Sequence, residues 1–450
     1  RALTDRIRCT NSHRGWTDES APVTLPMMIL RSEITFHGVG QGLFSSGQLV
    51  SSGVRQPFTW VYDCGSSSGQ ALLDQRVRSL RDQLSAQGSQ PLDLVALSHF
   101  DADHINGIVD LMRGISTRVL LLPYMPLDQR MLIAYSTRVE PSSELFGFFV
   151  NPLRYLASQE GVQIERVVYV PGGVRPDRLG LAEGEQRTQA ENGDSLRLVI
   201  ETGDPPFVVD ETELSSGGPT PRLRAEFLRL VGRLFLPGFW EFVPYNDAQP
   251  LQVSAHRQRD LNRFQRHIAS LCDALIQNPH LSGLQAIGNA YKQFFGEGIA
   301  RNRISLFLCA GALVHRWHDA MTIARAHSSR SKPDHVTYLT HHPRCRRPSV
   351  LYTGDGSLSN SRQLEALCQH LGRSRLDRLL CLQVMHHGAR RNWHRGVAER
   401  LAPEHSVFSS NPSHKKFHHP DAHVVKDFLP YGPVQVDAEH SFTLDCNWYI

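Results

Sequence analysis

One run of six residues, His99-Phe100-Asp101-Ala102-Asp103-His104, constrains this chain more than any other feature. It offers four ligand-capable side chains directly after an apolar stretch, PLDLVALS, that reads as a buried strand. A loop leaving a strand can splay alternate side chains towards one point, so such a cluster can hold two cations a few ångströms apart. The plainer alternative is a polar loop that caps the helix after it, with Asp103 as N-cap.

Two further stretches repeat the arrangement. Leu351-Tyr352-Thr353-Gly354-Asp355-Gly356 is an apolar strand ending in one carboxylate between glycines, and Val384-Met385-His386-His387-Gly388 is another ending in a histidine pair. A carboxylate can bridge two cations, and glycine lets backbone approach closely. Alone, a T-G-D turn or a histidine pair is commonly structural. All three together, each at the C-terminal end of a strand, point to one metal-binding site.

The text between these motifs reads as a layered α/β chain. From Ile29 short apolar runs broken by glycine predict hairpins ending at Asp63, and 72–88 has the apolar spacing of an amphipathic helix closed by Gly88. A helix is predicted over 105–113 and a strand over 118–125. From 127 to 298 the rhythm is lost, and helical segments such as 222–235 and 258–278 with Gly/Pro/Ser-rich loops suggest a mainly helical insertion or lid, a surface for a possible protein partner. Strands resume at 301–311, and a basic, His-containing loop spans 325–347. Four parts follow: a disordered leader over 1–26, with Met27 or Met28 as a start; a first half over 27–126; the insertion; and a second half over 299–450.

Composition narrows the class. With 40% hydrophobic and 20% charged residues in 450, the chain is globular, not disordered or fibrous. No run approaches a membrane span and the eight cysteines form no C-x-x-C pair, so reduced thiols, no membrane and a cytoplasmic setting are the expectation. A net charge of +4 is compatible with a polyanionic substrate and decides little.

In this order the motifs resemble the metallo-β-lactamase superfamily, and within it the soluble hydrolase domain of competence DNA-uptake channel proteins. His37-Gly38-Val39-Gly40-Gln41-Gly42 is similar to that group's opening turn, Asp63-Cys64-Gly65 to its D-x-G turn, Asn302-Arg303-Ile304-Ser305 to its Asn-x-x-Ser strand, and His419-Pro420 to its closing His-Pro pair. The resemblance covers about 29–125 and 299–445. It implies an αββα sandwich of two mixed β-sheets flanked by helices. It also implies a dinuclear site in which His99 and Asp101 hold one metal, Asp103 and His104 the other, and Asp355 bridges them. One of His386 and His387 completes the second site, the other meeting substrate, and Asp63 orients the ligands. Asp101 stands where most of the superfamily has histidine, which hardens the site and makes manganese as apt as zinc, with manganese preferred. No histidine fills the superfamily's usual third position, where Asn302 is the nearest equivalent.

The function implied is a metal-dependent hydrolase that acidifies a water, with Asp103 and His387 as catalytic candidates, Asp103 as acceptor of the water's proton, and Asn302 and His419 near substrate. Carboxylate-rich ligation and the basic 325–347 segment favour a phosphodiester or nucleic-acid substrate. Phe294, Phe295, Phe239, Trp240, Phe242 and Tyr245 are either base-stacking or core aromatics. The competing readings are a hydrolase of small esters, thioesters or lactams, and a non-catalytic scaffold or regulatory subunit, for instance in a defence system.

Overall fold

The computed structural model describes residues 29–172, 196–205, 214–215, 223–247, 258–295, 304–313, 320–328, 336–340, 349–377, 379–414 and 417–449. The expected leader and Asn302 lie outside them. Eighteen strands occur among the described residues. They are β1 (Ile29–Phe36), β2 (Phe44–Ser51), β3 (Phe58–Cys64), β4 (Leu94–Ala96), β5 (Ser116–Pro123), β6 (Gln163–Val170), β7 (Val199–Ile200), β8 (Ala225–Phe227) and β9 (Leu234–Leu236). The second nine are β10 (Trp240–Asn246), β11 (Leu306–Ala312), β12 (Ala320–Ser328), β13 (Val336–Thr340), β14 (Ser349–Tyr352), β15 (Cys381–Gln383), β16 (His405–Ser409), β17 (Pro433–Val436) and β18 (His440–Tyr449). They form two mixed sheets, ordered β13-β12-β18-β1-β2-β3-β4-β5-β6-β8 and β17-β16-β15-β14-β11-β10-β9-β7.

The period-2 pattern of the strands builds the layers. In β4 and the residue after it, Leu94 and Ala96 enter the core between the sheets while Val95 and Leu97 face helices. In β11, Leu306, Leu308 and Ala310 enter the same core, and Phe307 and Cys309 face the other helical layer. Outside the first sheet lie helices that include Gln70–Ala86, Leu127–Ser136 and Gln258–Gln277; outside the second lie Ser361–Leu371, Val397–Leu401 and Ala422–Phe428. The result is helices, sheet, sheet, helices. Aromatics lock the middle: Tyr62 stacks on Tyr352 at 4.6 Å, and Trp60 meets Trp240 and Phe242. Phe239, Trp240 and Phe242 are therefore core, Tyr245 packs on Phe307, and Phe294 packs on Phe264.

Three expectations need correction. The segment 222–235 is not helical: Ala225 and Phe227 face the helical layer, while Leu228, Leu234 and Leu236 face the inter-sheet core. A turn at Gly232, whose N–H donates to the carbonyl of Arg229, separates the two strands. The 127–298 segment is also not an insertion of helices and loops alone, because β6 and β8 extend the first sheet and β7, β9 and β10 the second. Within 325–347, the described residues, 325–328 and 336–340, are strand: β12 pairs antiparallel with β13 on one side and β18 on the other.

Candidate metal centre

The strands that matter run parallel, β3 with β4 in one sheet and β14, β15 and β16 in the other, and their C-terminal ends meet where the sheets face each other. The sheets are tied there by Leu306 N–H, which donates to the carbonyl of Ser98 at 2.7 Å. Ligand sites collect at such strand ends because the chain turns out of the sheet and frees its side chains.

Asp63, next to last in β3, takes left-handed backbone (φ 55°), a conformation uncommon for an aspartate. After this turn Cys64 shares the helix-side layer with Val61, which strict alternation would not give. The turn aims the Asp63 carboxylate at the start of the next loop. There it accepts from Ser98 N–H and Ser98 Oγ, both at 2.6 Å, and pairs with His104 Nδ1 at 2.8 Å. Ser98 Oγ also lies 2.8 Å from His99 Nδ1. Asp63 and Ser98 thus hold both imidazoles by their Nδ1 atoms and leave both Nε2 atoms pointing inward. Gly65 is required next to them, since a Cβ there would come within 2.4 Å of Asp103 backbone.

Asp355 enters from the second sheet. Gly354 before it has φ 52°, and a Cβ there would press within 2.5 Å of Ser98 Cβ. His386 and His387 both take left-handed backbone (φ 47° and 57°) in the turn after β15. This turns their rings apart. His387 is buried, its Nδ1 is 2.6 Å from the carbonyl of Ser409, and its Nε2 lies 3.4 Å from Asp355 Oδ1 and 3.5 Å from Asp103 Oδ2. His386, 26% exposed, points its Nε2 at Asp355 Oδ2 from 3.4 Å.

Two overlapping groups could hold a metal ion, His99 with His104 and Asp355, and Asp103 with His104 and His387; within each, the donor atoms lie within 4.8 Å of one another. The donors fit a cation. His99 Nε2, His104 Nε2, His387 Nε2 and Asp355 Oδ1 are buried with no hydrogen-bond partner, yet His99, His104 and His387 stand 3.2–3.6 Å from Asp355 oxygens. A buried polar atom without a partner costs about 1–3 kcal/mol, so four on one spot are an expensive arrangement unless a cation satisfies them.

Burial alone would raise the Asp355 carboxyl, but His386, His387, His104 and His99 outweigh it and hold it well below the carboxylate range. Burial likewise opposes charge on His104, and Asp355 and Asp63 overcome it, raising that imidazole. Burial pushes His99 down to about 3, leaving it neutral as a ligand must be. Asp103 is held at about 2, because the pull of burial upward is outweighed by His387, whose Nε2 is 3.5 Å away, and by the charge of His104.

Of the residues singled out in sequence, the structure brings together Asp63, His99, Asp103, His104, Asp355, His386 and His387. Asp101 stands at the edge, its Oδ2 3.9 Å from His99 Nε2 and outside both tight groups. Asp103 is not the N-cap of the helix Ala102–Ile105; that place is taken by Asp101. His419 lies at the edge, its ring centre 6.0 Å from that of His386. The sequence reading missed Ser98, Gln383, Asn392 and Ser409. Gln383, fully buried, accepts with Oε1 from Thr353 N–H at 2.8 Å and Gly354 N–H at 2.7 Å, and Asn392 Nδ2 donates to the Asp355 carbonyl at 3.1 Å. The one available signal was polarity inside apolar strand text. No helix among the described residues is long and apolar enough to cross a membrane. No protein-family model matches the chain, and no curated protein matches it.

Proposed function

We infer that this chain is a metal-dependent hydrolase of the metallo-β-lactamase type, with a two-cation site that cleaves phosphodiesters. The observation that carries the reading is that three buried, unpartnered imidazole Nε2 atoms face the two oxygens of Asp355 within two overlapping donor groups. Divalent cations, manganese or zinc, would supply Lewis acidity and an acidified water there. Asp103, His104 and His387 would hold one, and His99 the other, with Asp355 presenting Oδ1 to His387 and Oδ2 to His99 and Asp101 lying within reach of His99. Asp63 and Ser98 fix the Nδ1 atoms and so the direction of each imidazole. His386 is the imidazole of the cluster that keeps exposed surface, where it can meet an incoming substrate. Its neighbours Arg390 and Arg391 are exposed and suit an anionic ester.

The test is elemental analysis of the purified chain, paired with manganese-dependent cleavage of single-stranded DNA and of a bis-aryl phosphodiester by wild type and Asp355→Ala. Bound metal with cleavage that Asp355→Ala abolishes supports the reading. Two bound ions with no cleavage redirect it to small esters, and a chain that binds no metal refutes it.

A further inference from the structure

Beyond the cluster, residues 411–414 and 417–421 follow β16, and the outer ends of these two stretches are fastened beside the site. Asn411 N–H donates to Gln41 Oε1 at 3.3 Å, and Asp421 N–H donates to the Gly388 carbonyl at 3.0 Å. A Cβ on Gly388 would come within 2.7 Å of Pro420 Cβ, so this segment lies directly on the histidine turn.

Between the fastenings, side-chain rings form a continuous row. His414 and Phe417 lie nearly parallel with centres 5.0 Å apart, and Phe417 and His419 nearly parallel at 6.3 Å. His419 then meets His386 edge-on at 6.0 Å, and His386 Nε2 is 3.4 Å from Asp355 Oδ2. The row runs from a partly exposed rim to the centre of the cluster. His414, Phe417 and His419 belong to neither group of metal-competent donors. Two exposed arginines stand beside them, with Arg391 near enough for its charge to act on His419 and Arg390 on Asp421.

Parallel planar rings that keep part of their surface in water are what an unpaired base needs, because every base has a π-face and stacking is tolerant of sequence. Exposed guanidinium groups alongside suit the phosphates that link such bases. We propose that the His414–Phe417–His419 row is a recognition strip for single-stranded nucleic acid, stacking unpaired bases so that the adjoining phosphodiester reaches the cluster. This deepens the phosphodiesterase reading and rests on it for the choice of ligand. A duplex hides its base faces, so the strip selects single strands.

The test separates binding from cleavage. Fluorescence anisotropy in EDTA, which removes metal, follows a labelled twelve-nucleotide oligo-dA, the same strand annealed into a duplex, and an abasic strand of equal length and charge. The expected result is that oligo-dA binds on the order of tenfold more tightly than the other two. Phe417→Ala and Phe417→Leu should then each weaken oligo-dA binding on the order of tenfold, while Phe417→Trp retains it. Far-UV circular dichroism of each variant confirms folding. Equal binding of the abasic strand, affinity unchanged by Phe417→Ala and Phe417→Leu, or no binding of oligo-dA by wild type overturns the strip. Failure of the cleavage reading shows separately, as absent manganese-dependent hydrolysis in the assay of the preceding subsection.

Discussion

Gln383→Leu tests how Asp355 is held in place. Gln383 lies at the end of β15 with no exposed surface, and its Oε1 accepts from Thr353 N–H, Gly354 N–H and, at 3.1 Å, Thr353 Oγ1. Its Nε2 donates to the Val384 carbonyl at 2.9 Å. Leucine has a similar size and fills the space, so the loss is polar. Two buried backbone N–H groups lose their acceptor at about 1–3 kcal/mol each, for a loss of about 3 kcal/mol after partial relaxation. For a chain of this size that lowers the melting temperature by about 3 °C. The turn carrying Asp355 also loses one of its clamps, others being Asn392, Ser305 Oγ and the His386 N–H. The stabilisation that saturating Mn2+ adds should therefore shrink as well. Differential scanning calorimetry of both proteins, with and without Mn2+, reads both effects. A Gln383→Leu protein that melts within 1 °C of wild type, and gains as much from Mn2+, refutes the reasoning.

Three other substitutions probe separate parts of the molecule. Asp63→Asn removes the carboxylate that fixes His104 Nδ1 and should weaken Mn2+ binding by about 10–100-fold, measured by isothermal titration. Glu241→Gln should destabilise the chain by about 3 kcal/mol in urea, because the Glu241 carboxylate accepts from Arg375 at 2.7 and 2.8 Å and from Arg233 at 2.7 Å; an unchanged midpoint contradicts this. His405, buried between the sheets against Phe442, is pushed down to about 4 by burial, so the unfolded chain binds its proton first as pH falls. Its contribution is fully present above about pH 6.5 and is lost between there and pH 4, at most about 3 kcal/mol. His405→Phe should flatten the decline of urea midpoints between pH 7 and pH 4.5, and an unaltered slope excludes His405 as its source.

How much of this was legible in the sequence follows from where each signal sits. The three motifs were readable because each terminates an apolar strand, and strand text alternates between layers whether or not its partners are known. The strand at 225–227 was not readable. Its apolar residues also fit helical spacing, and only pairing with β6, some 58 residues earlier at Val167↔Ala225, decides between the two periods. The choice between His386 and His387 was equally closed, since it depends on two successive left-handed residues and on the Ser409 carbonyl, contributed by another strand.

The missed residues share a physical reason. Gln383 ends β15 and Ser98 follows β4 by two residues, and in sequence each is one polar letter in apolar text. In the fold each is a hub that serves groups far apart in the chain: Ser98 joins Asp63 to His99 and His104, and Gln383 joins β15 to the turn before Asp355. The ligand-capable side chains announce themselves by chemistry, whereas the residues that aim them are defined only by the hydrogen bonds they complete. A polar residue within the last turn of a buried strand, just before a cluster of His and Asp, is therefore the position to test first for an orienting role. On that argument Ser98→Ala should weaken Mn2+ binding while Ser98→Thr, which keeps the hydroxyl, restores it; equal affinity in both variants would show that Asp63 alone aims the imidazoles.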